Sequence, residues 1–403
     1  MSPVGPATGA ETDRRLDGGR TLAGILLMAG VLRVVGINGG FPDINRYFFE
    51  SDESTVVQAA MAFGTGDLNP HTFEQPTFLP YLLFGLYGLL YLGGLALARF
   101  SNPDDFAYLY FVTPGPFYLL GRGVSLVAGL LTVWLTYRLG SRLFGRTAGL
   151  LAAFFLAVSG LHVHASQIMK TDATSVFFVV AALLCCVDVV ETGRWRASWL
   201  AGLCTGLAAG TRYPSGMVCL CVIAAHFLNA GRSGRPWWRW PLNPGLWGAG
   251  AAAALAFLAV APFTVLDWRT FSQQIGFLSQ YVSTAGDPFT LGYRPNLWLL
   301  HWTQLAEPQV LGPVLVSLML LGCGISAWRH RWEDVLLWPM PLVLYWLYSD
   351  SHTFTRTVVP SLYLLPAIPV LFVLAGRAIA ELADSAARWP RVAGIRQVFA
   401  SLC

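Results

Sequence analysis

Phe48-Phe49-Glu50-Ser51-Asp52-Glu53-Ser54-Thr55-Val56-Val57, followed by Gly66-Asp67-Leu68-Asn69-Pro70, is an acidic stretch set directly after the first hydrophobic segment of the chain, Thr21–Gly36. Carboxylates beside a bilayer are costly unless they face water and serve a purpose there. The rest of the sequence avoids charge. Of 403 residues 55% are hydrophobic and 12% charged, about half the charged fraction of a soluble domain. Apolar runs near the ~20 residues that a helix needs to cross a bilayer recur from Thr21 to Arg377. The fold class is all-α, a polytopic membrane protein with about ten or eleven transmembrane helices by this length criterion.

The net charge of +4 is carried by arginine, Lys170 being the only lysine. In a membrane protein this balance reads as topology, because Lys and Arg collect in cytoplasmic loops. No basic tract is dense enough for a nucleic-acid groove, which removes that class of partner. Residues 1–20, with Arg14, Arg15 and Arg20, are expected to form a disordered cytoplasmic tail. Thr21–Gly36 carries Arg33 and lacks a small-x-small cleavage site, so it reads as a retained signal anchor. The cysteines form no CxxC pair and no Cys/His metal spacing, and read as small hydrophobes.

Candidate spans are 21–37, 117–139, 147–168, 173–190, 198–211, 214–230, 246–265, 309–328, 334–349 and 357–377. The apolar run Phe78–Ala98 decides their direction. If the N-terminus is cytoplasmic and 78–98 stays outside as a re-entrant or membrane-lying helix, the arginine-rich turns all fall inside. These are Arg138/Arg142/Arg146, Arg194/Arg196, Arg232/Arg235/Arg239, Arg329/Arg331 and the tail with Arg388, Arg391 and Arg396. A crossing 78–98 would invert every later turn. The expected organisation is a tail over 1–20, a transmembrane domain over 21–377 with a first outer loop 38–116, and a short cytoplasmic tail over 378–403. The remaining outer loops are 169–172, 212–213, 266–308 and 350–356. In an inner membrane, Asp52, Glu53, Asp172, Arg212, Asp267, Arg294 and Arg356 then share the outer face.

Ser51 can cap a helix that carries Asp52 and Glu53 in its first turn. Val56, Ala59, Ala60 and Phe63 continue it as an amphipathic helix along the interface, ended by the turn 64–70. The helix dipole favours an ionised carboxylate at this position, which makes Asp52 or Glu53 a candidate general base. Asp172 occupies a short outer turn that needs polar residues in any case; its functional reading is a second acidic site facing the first. Arg212, in Gly210-Thr211-Arg212-Tyr213, either snorkels to the interface or holds a phosphate in its guanidinium fork. Lys170 is a second candidate for that phosphate. Arg122 reads as an orienting residue before a ligand contact, and Arg356 as a headgroup contact or an interfacial anchor. His162 and His164 are spaced wrongly for one helix face and default to interfacial hydrogen bonding. No GxSxG, P-loop, HExxH or GxGxxG in a suitable context is present, so an enzyme here would take an activated substrate from the membrane.

In order and spacing these pieces resemble the GT-C class of membrane glycosyltransferases, in particular bacterial relatives of protein O-mannosyltransferases and lipid A aminoarabinose transferases. The resemblance runs through Ser51-Asp52-Glu53, Gly66-Asp67-Leu68-Asn69-Pro70 with Gln75-Pro76, Arg122, Asp172, Gly210-Thr211-Arg212-Tyr213 and Ala261-Pro262-Phe263 with Leu266-Asp267. It implies that Asp52 is the catalytic base with Glu53 beside it, that Asp172 is the acidic residue of the second outer loop, and that Arg212, next to Tyr213, holds the donor phosphate. It also implies that the helix 78–98 lies within the first outer loop. Relatives often carry a basic residue where this chain has Gln75, so phosphate binding would lean on Arg212, Lys170 or Arg99. Many relatives also have a soluble C-terminal domain, whereas here a short tail follows Arg377.

The expected activity is inverting transfer of a sugar from a polyprenyl-phosphate donor to a hydroxyl of a lipid, glycan or protein acceptor, with membrane lipids as the surrounding partners. Asp172 is left open to orienting the acceptor or helping to hold a divalent cation, and no other cofactor is called for. The rival is a transporter or flippase of a lipid-linked sugar. Transporters place ionisable residues at mid-span and carry inverted repeats, whereas the charges here sit at outer span ends.

Overall fold

The computed structural model describes residues 9–39, 51–284, 297–349 and 360–387, and among them all regular structure is helical. The α-helices are α1 (Gly9–Val34), α2 (Ser51–Ala62), α3 (Phe78–Ala96), α4 (Pro103–Val112), α5 (Gly115–Phe144), α6 (Arg146–Val158), α7 (Gly160–Gln167), α8 (Thr171–Thr192) and α9 (Trp195–Thr211). They continue as α10 (Cys219–Arg232), α11 (Pro244–Val260), α12 (Phe263–Leu266), α13 (Trp268–Thr284), α14 (Leu297–Leu305), α15 (Pro313–Arg329), α16 (Trp332–Leu337), α17 (Pro339–Ser349) and α18 (Ile368–Ala387). By length and hydropathy 5 of the described helices can cross a bilayer alone, or 6 if α6 and α7 count as one bent span. The apolar helices α11 and α15 are somewhat shorter. The protein is an integral membrane protein. Helix α1 begins at Gly9, inside the polar segment expected to be disordered.

One expected span, 147–168, is two helices bent by 59° at Ser159. A break frees carbonyls at the end of the first helix, and these need donors. Arg33, fully buried at the end of α1, supplies them: its Nη1 donates to the carbonyl of Ala157 (3.1 Å) and its Nη2 to that of Leu156 (3.3 Å), while Nη1 also donates to the Ala29 carbonyl of its own helix (3.0 Å). Nη2 also lies 2.7 Å from His162 Nδ1. A guanidinium only donates, so Nδ1 accepts and the His162 proton sits on Nε2. Ser159 caps α7 by accepting from the His162 amide. Arg33 therefore needs no carboxylate, because the negative end of α6 is its counter-charge.

The core is formed by α5, α6, α8 and α18, joined by Val176, Val180, Leu183, Phe155 and Phe372 among others. Helices α9 and α11 approach so closely that side chains are excluded. A Cβ on Gly202 would lie 2.0 Å from the Ala249 carbonyl oxygen, and one on Gly206 2.2 Å from that of Ala253. Small residues four apart are the usual way for helices to pack in lipid, where hydrophobicity drives nothing.

At the end of the bundle away from Asp172, buried Arg377 bonds Asp334 at 2.6 Å and Glu381 at 2.9 Å, and Arg142 bonds Asp188 at 2.7 Å and Glu191. At the other end lie the N-termini of α5 and α8 and the C-termini of α9 and α11. Helix α3 meets this end along its length: Phe78 packs on Phe178 in the second turn of α8, and Tyr87 on Phe117 in the first turn of α5. The Tyr87 hydroxyl donates to the Phe117 carbonyl at 3.1 Å, and that of Thr77 to the carbonyl of Val260, the last residue of α11, at 2.6 Å. Helix α3 packs along α2, with Leu79 and Leu83 against Val56, Val57 and Ala60, and meets α5, α8 and α11 at their ends.

Candidate active site

The site is assembled on a short extended segment, Ile168–Lys170, between α7 and α8. Met169 is fully buried against α5 at Gly121, where a Cβ would stand 1.8 Å from the Met169 sulfur. A side chain at position 121 would displace the Met169 thioether from this face of α5. Lys170 is extended, with φ −125° and ψ 164°, and α8 starts immediately after it. Asp172 consequently falls in the first turn of α8, where the helix dipole favours a carboxylate.

This segment meets the first turn of α2. Glu53 accepts from the Met169 backbone N–H at 2.7 Å and forms a two-pronged ion pair with Arg122, Nε to Oε1 at 2.8 Å and Nη2 to Oε2 at 2.6 Å. Arg122 Nη1 also donates to the carbonyls of Ile37 (2.7 Å) and Gly39 (2.6 Å). Both side chains are buried, and together they fasten α2, α5, the end of α1 and the 168–170 segment to one another. Asp52, one residue earlier, points the other way. Its carboxylate is 49% exposed and lies 3.1 Å from Lys170 Nζ.

Asp172 and Arg212 form a third acid–base pair, between the start of α8 and the residue that caps α9. The Arg212 guanidinium also lies over the Tyr363 ring, 5.1 Å from its centre. Tyr348 and Tyr363 stack at 4.9 Å. These tyrosines were not singled out from the sequence, since each lies at the edge of an apolar run that gives no polar signal. Tyr213 turns away from the pair: its hydroxyl donates to the Phe73 carbonyl at 3.3 Å, and its ring packs on Phe257 and Phe271.

The connection between α2 and α3 is tied to the α12–α13 corner. Asn69 Nδ2 donates to Asp267 at 3.0 Å, and Gln274 bridges the His71 carbonyl (2.9 Å) and the Phe73 amide (2.7 Å). His71 has φ +54°, in the left-handed region, and is held there by its ring contact with Asp67 (2.8 Å) and its amide bond to Asn69. Hydrogen bonds from His71 and Asn69 hold the Asp67 carboxyl below its ordinary value of 3.8, and those from Asn69 and Thr270 do the same for Asp267. The motif pieces around Asp67 and Asp267, nearly two hundred residues apart, are thus one structural unit.

The structure therefore brings together Asp52, Glu53, Arg122, Lys170, Asp172 and Arg212. Gln75 is exposed on the loop before α3, which is itself one of the five helices long and apolar enough to cross a bilayer; Tyr213 supports that loop, and Arg356 lies outside the described residues. His162 is inside the protein with Arg33 rather than at an interface, because the helix break draws it in. Among the described residues no three His, Cys, Asp or Glu side chains are grouped as a metal site would require. Each of Asp52, Glu53 and Asp172 has a cation as its partner.

The helical bundle carries the fold seen in GT-C glycosyltransferases. Residues 120–266 match the family model of dolichyl-phosphate-mannose-protein mannosyltransferases, a segment that includes Arg122, Lys170, Asp172 and Arg212. The crystal structure of ArnT from Cupriavidus metallidurans bound to undecaprenyl phosphate is similar at 16% identity and TM-score 0.56, over 94% of this chain and 62% of that one. The archaeal oligosaccharyltransferase AglB from Archaeoglobus fulgidus, in complex with an inhibitory peptide and a dolichol-phosphate, is similar at 14% identity and TM-score 0.58, over 93% of this chain and 51% of that one. The chain thus spans roughly half to three-fifths of the length of these structures. A comparison with curated proteins gives no match. The resemblance read from the motifs is borne out in the fold.

Proposed function

We propose that the protein is an inverting glycosyltransferase that moves a sugar from a polyprenyl-phosphate donor to an acceptor hydroxyl on the outer face of the membrane. The observation that carries this reading is the half-exposed Asp52 carboxylate beside Lys170, with the Asp172–Arg212 pair two residues further along the same segment. A base for the hydroxyl and cations for the departing phosphate are the two things this reaction needs. The match of residues 120–266 to the mannosyltransferase model supports the same class of donor.

Asp52 takes the acceptor O–H proton as the oxygen attacks the anomeric carbon, because an alcohol is a poor nucleophile until its proton is leaving. The new C–O bond forms on the face opposite the bond to phosphate, which breaks with its electron pair going to the lipid phosphate. Single displacement inverts the anomeric centre. Lys170 and Arg212 meet the growing charge on the phosphate, Lys170 by exchanging an Asp52 oxygen for a phosphate oxygen and Arg212 by its remaining N–H groups. Glu53 and Arg122 hold the walls rather than touch substrate. Asp172 keeps Arg212 in place.

The test is transfer by the reconstituted protein from polyprenyl-phosphate sugars. Asp52→Asn is expected to lose transfer by about a hundredfold or more while donor binding persists. Unchanged transfer in that variant overturns the mechanism.

A further inference from the structure

At the end of the bundle opposite the candidate active site, the connection between α10 and α11 reads Arg232-Ser233-Gly234-Arg235-Pro236-Trp237-Trp238-Arg239-Trp240. Helix α9, with Arg212 at its other end, is 17 residues long, so this end lies about 25 Å from the site. The connection is a built structure. The Trp240 indole donates to the Arg235 carbonyl at 2.8 Å and packs on Phe227 at 5.7 Å, and the Trp247 indole donates to the Pro241 carbonyl at 2.9 Å. It holds Trp237 and Trp238 outward, 72% and 61% exposed, with their rings set edge to face. On the adjoining start of α9, Arg196 stands over Trp195, itself 65% exposed.

The arginines here differ from three others at this end, while Arg138 resembles them in lying over a tryptophan ring, that of Trp134. Arg142, Arg329 and Arg377 are each bonded to carboxylates. Among the described residues Arg232, Arg235 and Arg239, with Arg194 and Arg196 beside them, pair with no carboxylate; Arg232 lies over the Trp332 ring instead, at 4.8 Å. We infer that this arginine–tryptophan rim binds the headgroups of anionic phospholipids in the leaflet opposite the candidate active site. Indole rings settle at the headgroup level of a bilayer. Guanidinium groups grip phosphate in two-pronged fashion. An uncompensated cluster favours a headgroup with a surplus negative charge over a zwitterionic one. The inference is independent of the catalytic reading.

The experiment is native mass spectrometry of the full-length protein with phosphatidylglycerol and phosphatidylcholine, together with hydrogen exchange over residues 232–243. Wild type is expected to retain phosphatidylglycerol about tenfold better, with the preference falling as salt rises, and to show slower exchange in 232–243 when that lipid is added. The triple variant R232Q/R235Q/R239Q is expected to lose most of the preference. Equal retention of the two lipids by wild type overturns the inference, as does an undiminished preference in the triple variant. If the triple variant does not fold, exchange in wild type decides: no lipid-dependent slowing in 232–243 overturns it.

Discussion

Asp52 and Glu53 are neighbours in sequence with opposite surroundings. The helix turn sends Glu53 inward to Arg122 and the Met169 amide, and leaves Asp52 at the surface with Lys170. Substitutions at the two are expected to differ in kind. Removing one partner of a buried ion pair strands the other charge, at a cost of about 3–5 kcal/mol. Glu53→Ala should therefore lower the unfolding midpoint in detergent sharply, whereas Asp52→Asn should leave it nearly unchanged while transfer is lost. In steady-state kinetics Lys170→Gln is expected to raise KM for the donor about tenfold or more, since a charged hydrogen bond to phosphate is worth about 1.5–3 kcal/mol. A KM equal to wild type would remove Lys170 from the phosphate site. The acidic pair was legible in the sequence, but its division of labour was not, because nothing local says which carboxylate faces a buried arginine 69 positions away.

At the scale of elements, close packing and docking are both open to measurement. Gly206→Val on α9 is expected to destabilise by about 1–3 kcal/mol or more, since its Cβ would meet the Ala253 carbonyl oxygen at 2.2 Å. Gly250→Ala on α11 has nothing within 4 Å of its new Cβ and should be neutral, or stabilising by up to about 1 kcal/mol; thermal unfolding compares the two. The glycine spacing that encodes this contact stands in the sequence, but periodicity of apolar residues does not reveal it. The α2–α3 connection should respond to acid. A carboxyl whose folded value is lowered contributes stability that is present above the ordinary carboxylate range and lost as pH falls through the lowered value. Asp67 and Asp267 are both lowered, by hydrogen bonds from His71 and Asn69 respectively. Docking of residues 67–73 on α13 should thus persist through the ordinary carboxylate value near 3.8 and loosen below it. Hydrogen exchange of 67–73 against pH reports this, and Asp267→Asn should flatten the acid limb.

For the whole molecule, the arginine count and the contacts of α3 bear on the same question from different sides. The count asks that 78–98 stay outside, and α3 packs on the ends of α5, α8 and α11. Cysteines placed at Asn102 and Arg142, in a background without the native cysteines, should label from outside and inside respectively. Labelling of Asn102 from inside and Arg142 from outside would make 78–98 a crossing span and invert the scheme.

The sequence by itself determined that this is a helical membrane protein, where most helices run and which residues are candidates for chemistry, because burial in lipid is written as long apolar runs and charge is rare enough to stand out. Its motif order also carried the GT-C resemblance that the fold bears out. Only the tertiary structure decided which charges meet. It set Glu53 on Arg122, Asp52 on Lys170 and Asp172 on Arg212, joined Asn69 to Asp267, and broke the span 147–168 at Ser159 on the donors of Arg33. The physical reason is common to all of these. An ion pair or a cap is satisfied by distance in space, and partners up to 198 residues apart leave no periodic trace in the chain.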